Sequence, residues 1–274
     1  MMSKAVWLGL ALTLPCVLVT ASTAGAQATA TQPPVTQGKP AEQPKAAETA
    51  ALPSAQSIID KHIAAIGGRK ALESHSSVTA KGSVSMPAAG ITGTLEMYAA
   101  RPNKALVRMT LGGIGEISEG FDGKTAWSTN PMTGPMIATG EELEQKAFNF
   151  NFDRALGMAD NYASMKTVEK TTFEGRPVYK LELTRKAGAV DTEYYDVETG
   201  LKAGSMTDVK SPMGTVTATS MLSDYKKFGD VLQPATIKQV ASGQQVTMTF
   251  TDMVYDTVDP KVFELPAAIK ALIK

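Results

Sequence analysis

The sequence predicts a mainly β fold: an incomplete, half-open antiparallel β-barrel of about 10–11 strands, with an N-terminal helix and short lid helices. Three observations carry this. From Ser76 onward the chain is written in short runs of period two, such as Thr94-Leu-Glu-Met-Tyr98, Leu106-Val-Arg-Met-Thr110, Val178-Tyr-Lys-Leu-Glu-Leu183 and Val246-Thr-Met-Thr-Phe250. That is the pattern of strands with one buried face. Turn signals separate the runs at short intervals: Arg101-Pro102-Asn103, Asp122-Gly123, Glu174-Gly175, Thr199-Gly200, Ser211-Pro212 and Ser242-Gly243. Helical patterns are few, so consecutive strands have no crossover helices between them and must form a meander.

Residues 1–26 read as a secretory signal peptide. Lys4 gives the positive start, Ala5 to Val19 the apolar run, and Ala24-Gly25-Ala26 a cleavage site that starts the mature chain near Gln27. Pro15 interrupts the run, which is shorter than a membrane span needs. Cys16 follows Leu14-Pro15 rather than a small residue, which argues against lipidation there. It is the sole cysteine, so the mature protein is expected to have neither disulfides nor thiol chemistry. Basic and acidic residues number 27 each, and losing Lys4 leaves a formal charge of −1 with no block of like charge. Nucleic acid is therefore not the expected partner.

Residues 27–52 are almost entirely Ala, Thr, Gln, Pro, Lys and Glu, a composition that cannot bury enough apolar area to order itself. They are expected to be a disordered tether. The folded body, 53–274, opens at Pro53-Ser54 with Ile58, Ile59, Ile63 and Ile66 at helical spacing, ended by Gly67-Gly68. His62 lies on that apolar stripe and His75 in the linker beyond it. Neither has a partner at metal-ligand spacing, and both read as structural. A second helix is expected at Gly140 to Asn149, where Glu141, Glu142 and Glu144 crowd the first turn, and a short one at Ala267 to Ile273.

Two segments carry a more specific signal: Tyr98-Ala-Ala-Arg-Pro-Asn103 leading into Leu106-Val-Arg-Met109, and Asp122-Gly-Lys-Thr-Ala-Trp-Ser-Thr-Asn-Pro131. With Val258-Asp-Pro-Lys-Val-Phe-Glu-Leu-Pro266 near the end, their order resembles the LolA-like periplasmic carriers of outer-membrane lipoproteins. The resemblance covers residues 54 to 266. It implies a half-open barrel holding lipoprotein acyl chains under a helical lid. It also implies that Arg101 is a lid clamp, bonding the backbone of a lid helix; the plainer reading of Arg101 is a solvated charge at a strand end. The sequence departs from the family pattern in its tether, in Gly67-Gly68 and in longer spacing through the second half.

Alternation assigns Leu95, Met97, Val107, Met109, Leu181, Leu183, Met248 and Phe250 to the interior, as candidate cavity-lining, ligand-binding residues. Methionines there are either adaptable contacts for alkyl chains or ordinary core filler. Trp127 faces the cavity or staples the barrel to a helix, with core packing preferred. No nucleophile elbow, zinc motif or phosphate loop is present; Gly112-Gly113-Ile114-Gly115 opens no helix. Pairs such as Glu141 and Glu142, or Glu193 and Asp196, are unremarkable for their positions. The expectation is a non-enzyme with no cofactor and no metal: a monomeric periplasmic carrier shuttling lipoprotein acyl chains or lipid toward the outer membrane, exchanging with membrane-bound loading and acceptor proteins. The alternatives are an envelope lipid sensor or a structural binding protein of the same fold.

Overall fold

The computed structural model describes residues 51–154, 156, 158–211 and 214–273. The expected signal peptide and nearly all of the tether lie outside them.

Helix α1 (Ala55–Ala65) starts where Ser54, still extended, accepts the Ser57 amide in its side-chain oxygen. It ends at Ile66, before Gly67 turns the chain at a φ of 130° into α2 (Gly68–Ser74). The first meander follows: β1 (Ser77–Met86), β2 (Ile91–Ala100), β3 (Lys104–Leu111), β4 (Gly115–Phe121), β5 (Ala126–Asn130) and β6 (Gly134–Ile137). The connection then forms α3 (Gly140–Asn149) and α4 (Met158–Asn161). A second meander runs through β7 (Tyr162–Phe173), β8 (Arg176–Arg185), β9 (Val190–Asp196), β10 (Lys202–Ser211), β11 (Gly214–Phe228), β12 (Val231–Ala241) and β13 (Gln244–Tyr255), and α5 (Ala267–Lys270) closes the described chain.

All thirteen strands join one antiparallel sheet in the order β6-β5-β4-β3-β2-β1-β13-β12-β11-β10-β9-β8-β7. Every neighbour is a sequence neighbour except β1 and β13, which pair with each other. The sheet is not closed; β6 and β7 are its free edges, and α3 and α4 lie in the connection between them. The strand count exceeds the expected 10–11 because some strands are written without clean alternation. The four residues of β6 are Gly-Pro-Met-Ile, and β10 and β11 are rich in Ser and Thr.

Neighbouring strands approach closely where β1 and β2 carry inward glycines. A Cβ on Gly82 would lie 2.0 Å from the Thr249 carbonyl oxygen, and one on Gly93 would lie 2.1 Å from that of Thr110. Backbone of the next strand therefore occupies the space of a side chain. The β1–β13 register slips beside Gly82, leaving Thr251 as an extra residue, and such a bulge adds twist.

Opposite faces of β3 show how the layers divide. Ala105, Val107, Met109 and Leu111 face the concave side, whereas Leu106 packs with Trp127, Phe263 and Ile269 on the convex side. Trp127 is thus a core residue that staples the outside of the sheet to α5, lying over Gly120 of β4. The Val258–Pro266 segment serves as a strap across the convex face, not as part of the cup.

Gly82→Val should lower the unfolding free energy by about 2–4 kcal/mol, since backbone must move to admit the side chain. Urea denaturation checks this; an unchanged midpoint would mean that the sheet does not depend on close approach at this glycine.

Candidate functional site

The concave face is divided into two regions of different chemistry. On β1–β4 and β13 it is apolar: Ala80, Val84, Leu95, Met97, Val107, Met109, Leu111, Ile117, Met248 and Phe250 form one buried cluster. Met86, Ile91, Ile114, Ile237, Val246 and Met253 border it. Among the described residues every member comes from a strand or a strand-end turn. Six of the eight residues expected to line the interior meet here: Leu95, Met97, Val107, Met109, Met248 and Phe250, each no more than 3% exposed. The other two, Leu181 and Leu183, lie apart in the core beneath α1, packed with Ile58, Ile59, Ile63 and Tyr195.

Helix α3 spans the two regions. Leu143, Ala147 and the following Phe150 pack on Ala105, Phe121 and Ala126 of the first meander. From the same helix Lys146 is buried in an ion pair with Glu119 of β4, with Glu142 one turn back at 3.8 Å. Toward the second meander, Gln145 donates to the Asp208 carbonyl of β10 at 2.6 Å. The Phe148 ring meets Tyr162 of β7 edge-on at 5.6 Å.

The second region is charged. From β9, Asp191 accepts two hydrogen bonds from Arg185, both 2.7 Å, while Glu193 accepts from Lys202 at 2.6 Å and from Tyr195 at 2.5 Å. Arg154 stands 3.4 Å from Glu193, and Tyr162 and Thr207 donate to Asp191 at 3.2 Å. Burial alone would raise the Glu193 carboxyl, but the Lys202 and Arg154 charges hold it at about 2. Burial lowers Lys202, partly offset by Glu193. Burial and the Glu193 charge push the Tyr195 phenol well above its usual range. A carboxylate so firmly ionised, with its oxygens bonded, is a poor proton acceptor. This cluster was missed from sequence, though Asp191, Glu193 and Tyr195 alternate onto one face of β9, which is the signal that could have exposed it.

Arg101 sits at the end of β2, where Nη2 donates to the Glu73 carbonyl of α2 at 3.2 Å. Its Nε lies 3.6 Å from Asp153 and its guanidinium 5.7 Å from the centre of the Phe152 ring, just beyond α3. One side chain therefore touches both the N-terminal helix pair and the segment that follows α3. It is half-buried, not a solvated strand end.

The two histidines are set oppositely. His62 is buried, with Nδ1 3.1 Å from the Gly200 carbonyl, and burial with the nearby Lys202 charge lowers it to about 4. His75 bridges Asp256 through Nδ1 and Asp230 through Nε2, both at 2.7 Å, and stacks on Tyr255 at 4.1 Å. Burial would lower it, but bonds to the two carboxylates raise it overall. Bonding both requires the imidazolium, since the neutral ring has one N–H. Among the described residues no group of three or more His, Cys, Asp or Glu side chains is placed to hold a metal ion, and no helix is long and apolar enough to cross a membrane.

No family model matches the sequence, and no curated protein does. Solved structures do. A DUF1329 family protein from Desulfovibrio piger superposes with a TM-score of 0.55 at 12% identity, over 78% of this chain and 98% of its own. A LolA superfamily protein from Nitrosomonas europaea gives 0.50 at 16% identity, over 78% and 99%. The chain therefore has a LolA-like fold.

The histidines give stability opposite pH dependences. His62 is held below the ordinary 6.5, so the unfolded chain binds the proton first; its contribution is whole above about 6.5 and is lost on acidification toward about 4. The loss is on the order of 3 kcal/mol. His75 is raised, so its contribution is whole below 6.5 and is lost as pH rises through its folded value. Thermal midpoints across pH should fall on both sides. His62→Gln should flatten the acid limb and His75→Asn the alkaline one; unchanged limbs would assign the losses to other groups.

Proposed function

We propose that this protein is a non-catalytic carrier of the bacterial envelope that binds acyl chains of a lipid or lipoprotein on the apolar strip of its cup and conveys them through the periplasm. The single observation behind this reading is the strip itself: a methionine-rich concave surface built wholly from strands, next to a helix that spans the cup. The LolA-like fold supports it, as do the signal-like start and the absence of catalytic motifs in the sequence. Leu95, Met97, Val107, Met109, Met248 and Phe250 are the proposed contacts, with Leu181 and Leu183 forming the floor beneath α1.

The strip is densely packed, so cargo has to displace side chain from side chain. Each buried CH₂ contributes roughly 0.8 kcal/mol, so one acyl chain brings on the order of 10 kcal/mol gross. Parting the strip and lifting α3 subtracts from that. A carrier needs the resulting moderate affinity because it must release its load. Met97, Met109 and Met248 suit the exchange, since an unbranched thioether side chain adapts to irregular alkyl shapes at little cost. Arg101 is the proposed clamp on the closed form; a hydrogen bond from a charged donor contributes about 1.5–3 kcal/mol. The same dense packing favours the second reading, a structural envelope protein of this fold that takes up no cargo.

Native mass spectrometry with organic extraction, applied to protein from an envelope fraction, separates the two. Co-purifying acyl species are expected; an unliganded mass that persists after incubation with lipids and lipopeptides would establish the second reading. Arg101→Leu should keep the fold and shift the opening equilibrium about 10- to 100-fold, changing transfer to acceptor vesicles more than binding. Equal loss of transfer and binding with a lowered melting temperature would return Arg101 to a purely structural role.

A further inference from the structure

Phe148 packs against the core beneath α1 and, from there, also lies against two guanidiniums. Its ring centre lies 4.1 Å from the Arg185 guanidinium carbon and 4.9 Å from that of Arg154. Both guanidiniums are buried, and both are held from the sheet by β9 carboxylates, Asp191 on Arg185 and Glu193 on Arg154. Asp191 engages two of the five N–H donors that a guanidinium carries. The π-face of an aromatic ring offers cations a diffuse negative potential, a weak substitute for an anion.

We propose that Phe148 is a placeholder, and that Arg154 and Arg185 form a binding site for the phosphate or carboxylate head group of an acylated cargo. This rests on the acyl-binding reading above and adds the chemistry of the cargo's other end. When α3 lifts, Phe148 leaves with it and an anionic oxygen replaces the ring. Charge-assisted hydrogen bonds from guanidinium to phosphate are far stronger and more directional than the contact they replace.

The position suits one amphiphile. Ala147, adjacent to Phe148 on α3, packs with Ala105 and Phe121, the concave residues that continue β3 and β4 from Val107 and Ile117 of the apolar strip. The underside of α3 thus runs from the strip to the guanidiniums. The helix is held there by side-chain contacts and belongs to no sheet ladder: the Lys146–Glu119 pair, the Gln145 bond and a small apolar cluster. Cargo that displaces α3 uncovers the head-group site at the end of the tail surface.

Calorimetric titration of the mature protein with lauroyl lysophosphatidate, monolaurin and inorganic phosphate tests this. Lysophosphatidate should bind about tenfold or more tighter than monolaurin. Phe148→Leu should widen that preference, and Arg154→Gln should reduce it to about twofold or less. Inorganic phosphate should compete weakly with lysophosphatidate and leave monolaurin unaffected. Equal binding of the two amphiphiles by the wild type would overturn the head-group site and leave the acyl-binding reading standing. Tight binding of phosphate by itself would make the site one for a free anion and overturn the head-group assignment. If neither amphiphile binds, both readings fail together. Should Arg154→Gln not fold, Phe148→Leu decides: a preference that stays the same or narrows refutes the placeholder role.

Discussion

The pairing of β1 with β13 is the constraint on which the rest of this structure depends. It joins the ends of two meanders at the middle of the sheet, so the free edges fall at β6 and β7, the strands on either side of the longest connection. That connection has to travel from one edge to the other. A coiled sheet that stays open brings its edges toward each other around the concavity, and the chain between them lies across the cup. Helix α3 lies across the cup because of where the sheet ends, before any of its own side chains is considered.

Its side chains then match the two surfaces it touches. Against the first meander it places Leu143 and Ala147 on small apolar residues and Lys146 on Glu119; against the second it places Phe148 on guanidiniums. Buried ions are costly to desolvate and add little net stability even when well paired. Their value here is geometric. Asp191 and Glu193 bind cations from three separate elements, which seats the segment after α3 in one position against β9. The apolar strip has the opposite character: its contacts are non-directional, and its methionines lose little when they exchange one apolar neighbour for another. One half of the cup is held by directional ion pairs and the other by apolar contacts.

Much of the fold was legible along the chain. The Gly140–Asn149 helix, the isoleucine stripe of α1 and the long hairpins follow from periodicity and caps, which are local properties. Alternation is broken in β4, whose last five residues are buried on both faces, Trp127 covering Gly120 from outside. The interior set was read as one face of each strand, and its eight members are buried. Period two cannot tell which stretch of that face a helix will cover, and so Leu181 and Leu183 were grouped with six residues they do not touch. Arg101 was found through a motif, whereas its contacts with Glu73 and Phe152 depend on two helical segments docking at the same strand end.

By itself, the sequence determined the mainly β architecture, the places of α1, α3 and α5 and the apolar character of the face turned inward, since each depends on neighbours within a few residues. Tertiary structure decided the division of the cup into an apolar and a charged half and the meeting of Phe148 with Arg154 and Arg185. It also joined His75 to Asp230 and Asp256, residues more than 150 positions away. Those contacts arise only when a coiled sheet brings distant strands round to face one another, and no pattern of period two or 3.6 records which strands they will be.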